Sequence, residues 1–189
     1  MDNQITDNFH KAIGRFAVNF EHVCMNMNVI CTFLLSRSGI KDQQISQILL
    51  ADHSAERTRT LLASLYSQIM KPDKKSSRIV DALLKDVKTL TEKRNKLMHQ
   101  SWFIGYSENP ENIPEEARAF KARKNKQGVT IERLNFSVKD FDSLSVEAER
   151  LKELIMYLVL PVNYGEDLSS TLSVKGNKIV VIKKRIKCD

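Results

Sequence analysis

The chain has 189 residues, 42% hydrophobic and 28% charged, which suits one globular domain, or one domain with an appendage, and excludes a disordered chain. Six glycines and four prolines exclude collagen-like and loop-dominated architectures. The net charge of +7 is uneven: residues 1–70 hold 6 basic and 6 acidic side chains, whereas residues 71–189 hold 24 and 17, a bias that suits a polyanion such as RNA or a plain solvated Lys-rich surface.

The first long segment carries Phe9, Ile13, Phe16, Phe20, Val23, Met27, Ile30 and Leu34 at alternating spacings of four and three, one apolar face of a helix. Asp7 or Thr6 can cap its start and Gly39 can end it. Ala17, Cys24 and Cys31 widen the buried stripe, so the two cysteines read as packed thiols. Glu21 lies on the flank of that stripe, where it either reaches water or meets a basic side chain of another helix. Residues 41–51 read as a short helix. Asp52-His53-Ser54 then offers a cap for a helix over 55–70, which the run from Lys71 and Pro72 to Lys75 breaks. A further long helix starts at about Ser77, with a seam of Val80, Leu83, Val87 and Leu90, then Arg94, then Leu97.

Residues 101–107 and 129–137 are β-like in composition, and the polar piece between them, 108–128, reads as a loop with one helical turn. The last long helix is expected from about Asp140 to Leu160, with Phe141, Leu144, Val146, Ala148, Leu151, Leu154, Ile155 and Leu158 inward and Pro161 as its stop. Leu172–Val174 and Ile179–Ile182 flank a Gly-Asn turn, a hairpin signal followed by a basic end. The expected organisation is all-α: a helical domain over 1–164 with a small β insertion, and a basic hairpin or arm over 165–189.

Several chemistries are disfavoured. Three cysteines, at 24, 31 and 188, give neither a disulfide framework nor a Cys-based zinc site and suit a reducing compartment. The four histidines show no metal-ligand spacing, and there is no phosphate-binding glycine loop and no nucleophile elbow. No metal or other cofactor is expected. No stretch approaches the ~20 apolar residues of a membrane span. The first residues lack the basic head and apolar core of a signal peptide. A cytoplasmic protein with no membrane partner is the expectation.

The stretch Arg94-Asn95-Lys96-Leu97-Met98-His99-Gln100-Ser101-Trp102 carries the chemistry. An apolar seam supplies Arg at position 94, where a packed side chain belongs. On a helix turning about 100° per residue, Asn95 and His99 share a face, so the amide could fix the imidazole tautomer. Arg94 and His99 point about 140° apart, so the helix must end near His99 or the site must be built from two chains. Arg with His suits metal-free RNA cleavage. The imidazole moves the proton of the attacking 2′-hydroxyl or of the leaving oxygen, and the guanidinium stabilises the extra charge on the phosphorane. Products would end in 2′,3′-cyclic phosphate and 5′-hydroxyl. The competing roles are a capping or packing histidine at 99, and a structural ion pair of Arg94 with Glu21 or Glu92.

Arg94, the polar Asn95 after it, His99 and the following Trp102 resemble the Rx4–6H motif of the HEPN (higher eukaryotes and prokaryotes nucleotide-binding) superfamily. The order of elements over about residues 6–160 is similar as well, while Gln100 stands where many relatives carry Gly. The resemblance implies a small all-α bundle, a homodimer whose two motifs line one cleft, and a metal-independent endoribonuclease of toxin–antitoxin or phage-defence systems, with an antitoxin or defence protein as partner. Arg94 and His99 would be catalytic, Asn95 would orient His99, and Glu21 would support them. Arg118, Lys121, Arg123, Lys124, Lys126, Lys183, Lys184, Arg185 and Lys187 would guide RNA through its phosphates. Two rivals stand beside it: a non-catalytic HEPN-like module binding RNA, a nucleotide or a protein, and a structural helical dimer without a ligand.

Overall fold

The computed structural model describes residues 3–105, 116–126, 128–176 and 178–182. Five helices come in chain order: α1 (Asn3–Arg37), α2 (Gln43–Leu50), α3 (Ala55–Met70), α4 (Lys74–Met98) and α5 (Val138–Met156). Between α4 and α5 lies an antiparallel sheet in the order β1 (Ser101–Phe103), β2 (Glu116–Asn125), β3 (Gly128–Ser137). A second antiparallel pair, β4 (Leu172–Lys175) and β5 (Lys178–Val181), follows α5.

The expectation of an all-α fold is therefore wrong. Of the described residues 66% are helical, but the two sheets make the chain a mixed α and β domain. The error lies in the described part of 108–128, expected as a loop with a helical turn; residues 106–115 and 127 lie outside the described residues. Its residues 116–125 form β2, paired residue for residue with β3 and at one end with β1. Glu, Ala, Arg and Lys favour helix locally, and pairing on both edges overrides that preference. The small residues Ala117 and Ala119 alternate inward and are fully buried.

Helix α1 spans about 52 Å at 1.5 Å per residue and forms the spine. Its apolar seam is buried from Phe9 to Leu34, with Ile13 half-buried. It starts a turn before Thr6 and Asp7, so neither caps it, and it ends ahead of Gly39, whose φ of 109° suits a residue without Cβ. Helix α5 lies alongside α1 and runs parallel to it. Polar rungs fix the register: Arg15 Nη1 to Asp142 Oδ1 at 2.9 Å, Asn19 Nδ2 to Ser145 Oγ at 2.9 Å, and Asn26 Nδ2 to the Lys152 carbonyl at 2.9 Å. Helices α3 and α4 complete the bundle. Arg150 of α5 clamps Asp86 of α4 at 2.7 Å and Glu147 of its own helix at 2.7 Å.

Caps set the other starts. Asp42, Ser54 and Asp73 accept backbone N–H bonds at α2, α3 and α4. Ser137 and Asp140 form a reciprocal capping box that turns β3 directly into α5. Pro161 does not stop α5, which ends at Met156. It opens a π-helical turn, Leu160–Tyr164, where a missing N–H does no harm, and Gly165 closes that turn at φ 70°. Val146, expected inward, is 67% exposed.

Leu168, Leu172 and Ile179 of the closing segment are sealed into the same hydrophobic core as the helices. Among the described residues no helix is long and apolar enough to cross a membrane.

Candidate functional site

Arg94 lies on the last turns of α4, at the mouth of a cleft of 1010 Å³ walled by α1, the α2–α3 corner and α4. Its seam position faces α1, where a long cationic side chain cannot be sealed in oil. Two neighbours solve this. The guanidinium sits over the Phe20 ring, 5.5 Å from its centre, and reaches Glu21 Oε1 at 3.7 Å. The Arg94 side chain keeps 30% of its surface open, enough for a ligand to touch. Of the two alternative ion pairs, Glu21 is the one formed, while Glu92 pairs with Lys88 at 3.9 Å.

Asn95 lines the cleft beside Arg94 and accepts a 3.4 Å hydrogen bond from Arg94 Nη1. The expected bond from Asn95 to His99 does not form, because the helix ends first. Helix α4 closes at Met98, and His99 is its cap residue at φ −104°, ψ 21°. The Leu97 carbonyl takes the Trp102 indole N–H at 3.0 Å, which draws the chain into β1. His99 is exposed and does not line the cleft. Within one chain, then, Glu21, Arg94 and Asn95 come together and His99 stands outside their cleft.

Two histidines given no catalytic role by the sequence line that cleft instead, His22 from α1 and His53 from the α2–α3 corner. His53 Nδ1 is buried and has no hydrogen-bond partner among the described residues. His53 was legible only as part of a capping run, and nothing in its spacing from Arg94 reveals that the two share a cavity. Cys24 also lines the cleft. Burial pushes its thiol up to about 11, Glu21 adds to the rise, and Arg94 opposes it. It is no nucleophile at neutral pH.

The basic residues fall into three groups. Arg118, Lys121, Arg123 and Lys124 sit on β2, and Lys126 on the turn after it. Arg123 is bound to Glu132 at 3.3 Å, and Glu132 also holds Lys96 of α4 at 3.0 Å. Lys183, Lys184, Arg185 and Lys187 lie outside the described residues. Among the described residues no group of three or more His, Cys, Asp or Glu is placed to hold a metal ion.

No family model matches the chain, and neither a curated protein nor a solved structure matches it.

Proposed function

We propose that the protein is a metal-independent endoribonuclease of the HEPN type that acts as a homodimer. The observation that carries this reading is Arg94: a cation in an apolar seam, held half-open by Phe20 and Glu21, on a helix that ends in time to free His99.

The reaction needs two proton transfers and one charge stabiliser. An imidazole takes the proton from the ribose 2′-hydroxyl, whose oxygen attacks the neighbouring phosphorus. The bond to the 5′-oxygen breaks, and that oxygen receives a proton from an imidazolium. The guanidinium binds the phosphorane oxygens in the transition state. A two-fold dimer supplies a pair of each group and lets His99 of one chain meet Arg94 of its partner. Val18 and Met25, one heptad apart on α1 and on either side of Glu21, are 55% and 53% exposed, an apolar face that suits such a partner copy.

The test is cleavage of mixed RNA in EDTA. The wild type should leave 2′,3′-cyclic phosphate ends, and Arg94→Ala and His99→Ala should each slow cutting by roughly 10²–10³-fold. Mixing the two inactive variants should restore part of the activity, since mixed dimers regain one complete site. Intact RNA with the wild type, or variants that both cut as fast as the wild type, defeats the reading. Growth arrest on expression, relieved by a cognate partner protein, is expected of a toxin or defence enzyme.

A second reading is favoured by one observation, the unpartnered His53 Nδ1 in the cleft that Arg94 shares and His99 does not. It makes the chain a non-catalytic module that binds a nucleotide there. RNA would then survive, and Arg94→Ala and His53→Ala would weaken nucleotide binding while His99→Ala would not.

A further inference from the structure

The sheet has two faces of different character. Strand alternation turns Trp102, Ala117, Ala119 and Phe136 toward the bundle, where the two alanines are fully buried and Trp102 packs against Phe136 at 6.0 Å. The register sends the alternate residues outward: Phe103 opposite Arg118 and Arg118 opposite Asn135, with Phe120 opposite Arg133. Phe103 is 48% exposed, an unusual cost for an aromatic ring.

This outer face is built. The Phe103 and Phe120 rings meet edge to face at 5.3 Å, and the Arg133 guanidinium lies 5.8 Å from the Phe120 ring centre. Arg118, Phe120, Arg133 and Asn135 line a concavity of 430 Å³. Neither Arg118 nor Arg133 pairs with a carboxylate among the described residues, whereas Arg123 on the opposite face shares Glu132 with Lys96. Among the described residues Glu116 is the outer face's carboxylate, and it sits at the end of β2, opposite Ser137.

We infer that the outer face of β1–β2–β3 is a stacking platform for the unpaired bases of single-stranded RNA, with Phe103 and Phe120 taking base faces, Arg118 and Arg133 taking phosphates and Asn135 taking a base edge. Charge and geometry select this occupant. Two accessible rings beside guanidinium groups that meet no carboxylate among the described residues suit a flexible polyanion whose bases are splayed out. A duplex hides its base faces and has nothing to offer the phenylalanines. From Arg118 to Lys124 the strand covers about 20 Å, room for a few nucleotides. The platform also adjoins the motif, for β1 begins at Ser101, two residues after His99. A strand lying on it would therefore be delivered to that helix end. The assignment rests on the ribonuclease reading only for what happens to the strand after it docks.

The test is filter binding of a labelled unpaired oligoribonucleotide and of a duplex of equal length. It is done in EDTA with the full chain carrying Arg94→Ala and His99→Ala, so that the RNA survives. The single strand should bind at least about tenfold more tightly than the duplex. Phe103→Ala and Phe120→Ala should each weaken it roughly tenfold, whereas Phe103→Trp should not. Arg118→Ala should lower the salt dependence of binding. Equal binding of duplex and single strand overturns the proposal, as does unchanged binding by phenylalanine variants with wild-type melting temperatures. Loss of self-association in those variants, with RNA binding intact, marks the face as a protein interface and overturns it too. Binding through the phenylalanines without any cleavage by the native-site protein leaves the platform standing and defeats the ribonuclease reading. Cleavage at low RNA concentration that ignores the phenylalanines does the reverse.

Discussion

Arg94 is held by neighbours of different strength toward an incoming phosphate. Phe20 orients the guanidinium without neutralising it, and the half-open Glu21 pair is of the kind worth no more than about 1 kcal/mol. On the proposed reading, a phosphodiester takes the cation from Glu21 at little cost. The seam break that exposed Arg94 in the sequence is the same fact seen twice: a cation sits there because an acid and a ring face it across α1. His53 had no such signal, since its place in the cleft depends on how the α2–α3 corner folds against α4. The cysteines were legible from the apolar stripe they extend. Burial, with Glu21 against Arg94, pushes Cys24 up to about 11, and burial alone takes Cys31 to about 12. Both thiols stay protonated at pH 8. Peptide mapping after iodoacetamide should find Cys24 and Cys31 unmodified in the native protein and alkylated once urea unfolds it.

Caps and pairings decide the elements. The Ser137–Asp140 box is the junction at which the sheet hands the chain to α5, and its loss should be felt by both. Ser137→Ala should cost about 1 kcal/mol, read as a lower urea midpoint. The bond from the Ser137 backbone N–H, with its hydroxyl second, holds the Asp140 carboxyl below its ordinary value of 3.8. A depressed folded value means that the contribution is complete above that ordinary value and is lost as pH falls through the folded one. The gap between wild type and Ser137→Ala should therefore be constant from about pH 7 to pH 5 and shrink below about pH 4. The helices were legible because each carries its own period and most carry their own cap. Strand β2 was not, because its evidence is held by other strands: alone, residues 116–125 read as helix formers, and only β1 and β3 supply the hydrogen bonds that make them extended.

At the scale of the whole molecule, two long helices from opposite ends of the chain, α1 and α5, run side by side, and everything between them is a return path. The apolar stripes announced that both helices would be buried. They could not announce a parallel pairing, which is fixed by rungs such as Asn19 with Ser145. The closing hairpin was legible as a hairpin, but its place was not, since Leu172 and Ile179 are short apolar signals that match any core. Leu172 has no exposed surface. Leu172→Ala should cost about 2–5 kcal/mol and lower the melting temperature of the entire domain in one transition, which calorimetry would show. A last consequence follows from Trp102, the one tryptophan of the chain. Its indole N–H is tied to the Leu97 carbonyl, and its ring is wedged against Phe136 of β3 and Phe141 of α5. The protein thus carries an intrinsic fluorophore where the end of α4, the sheet and α5 meet. Its emission reports on that junction without any added label, so a ligand that loosens it announces itself as a change in colour or brightness.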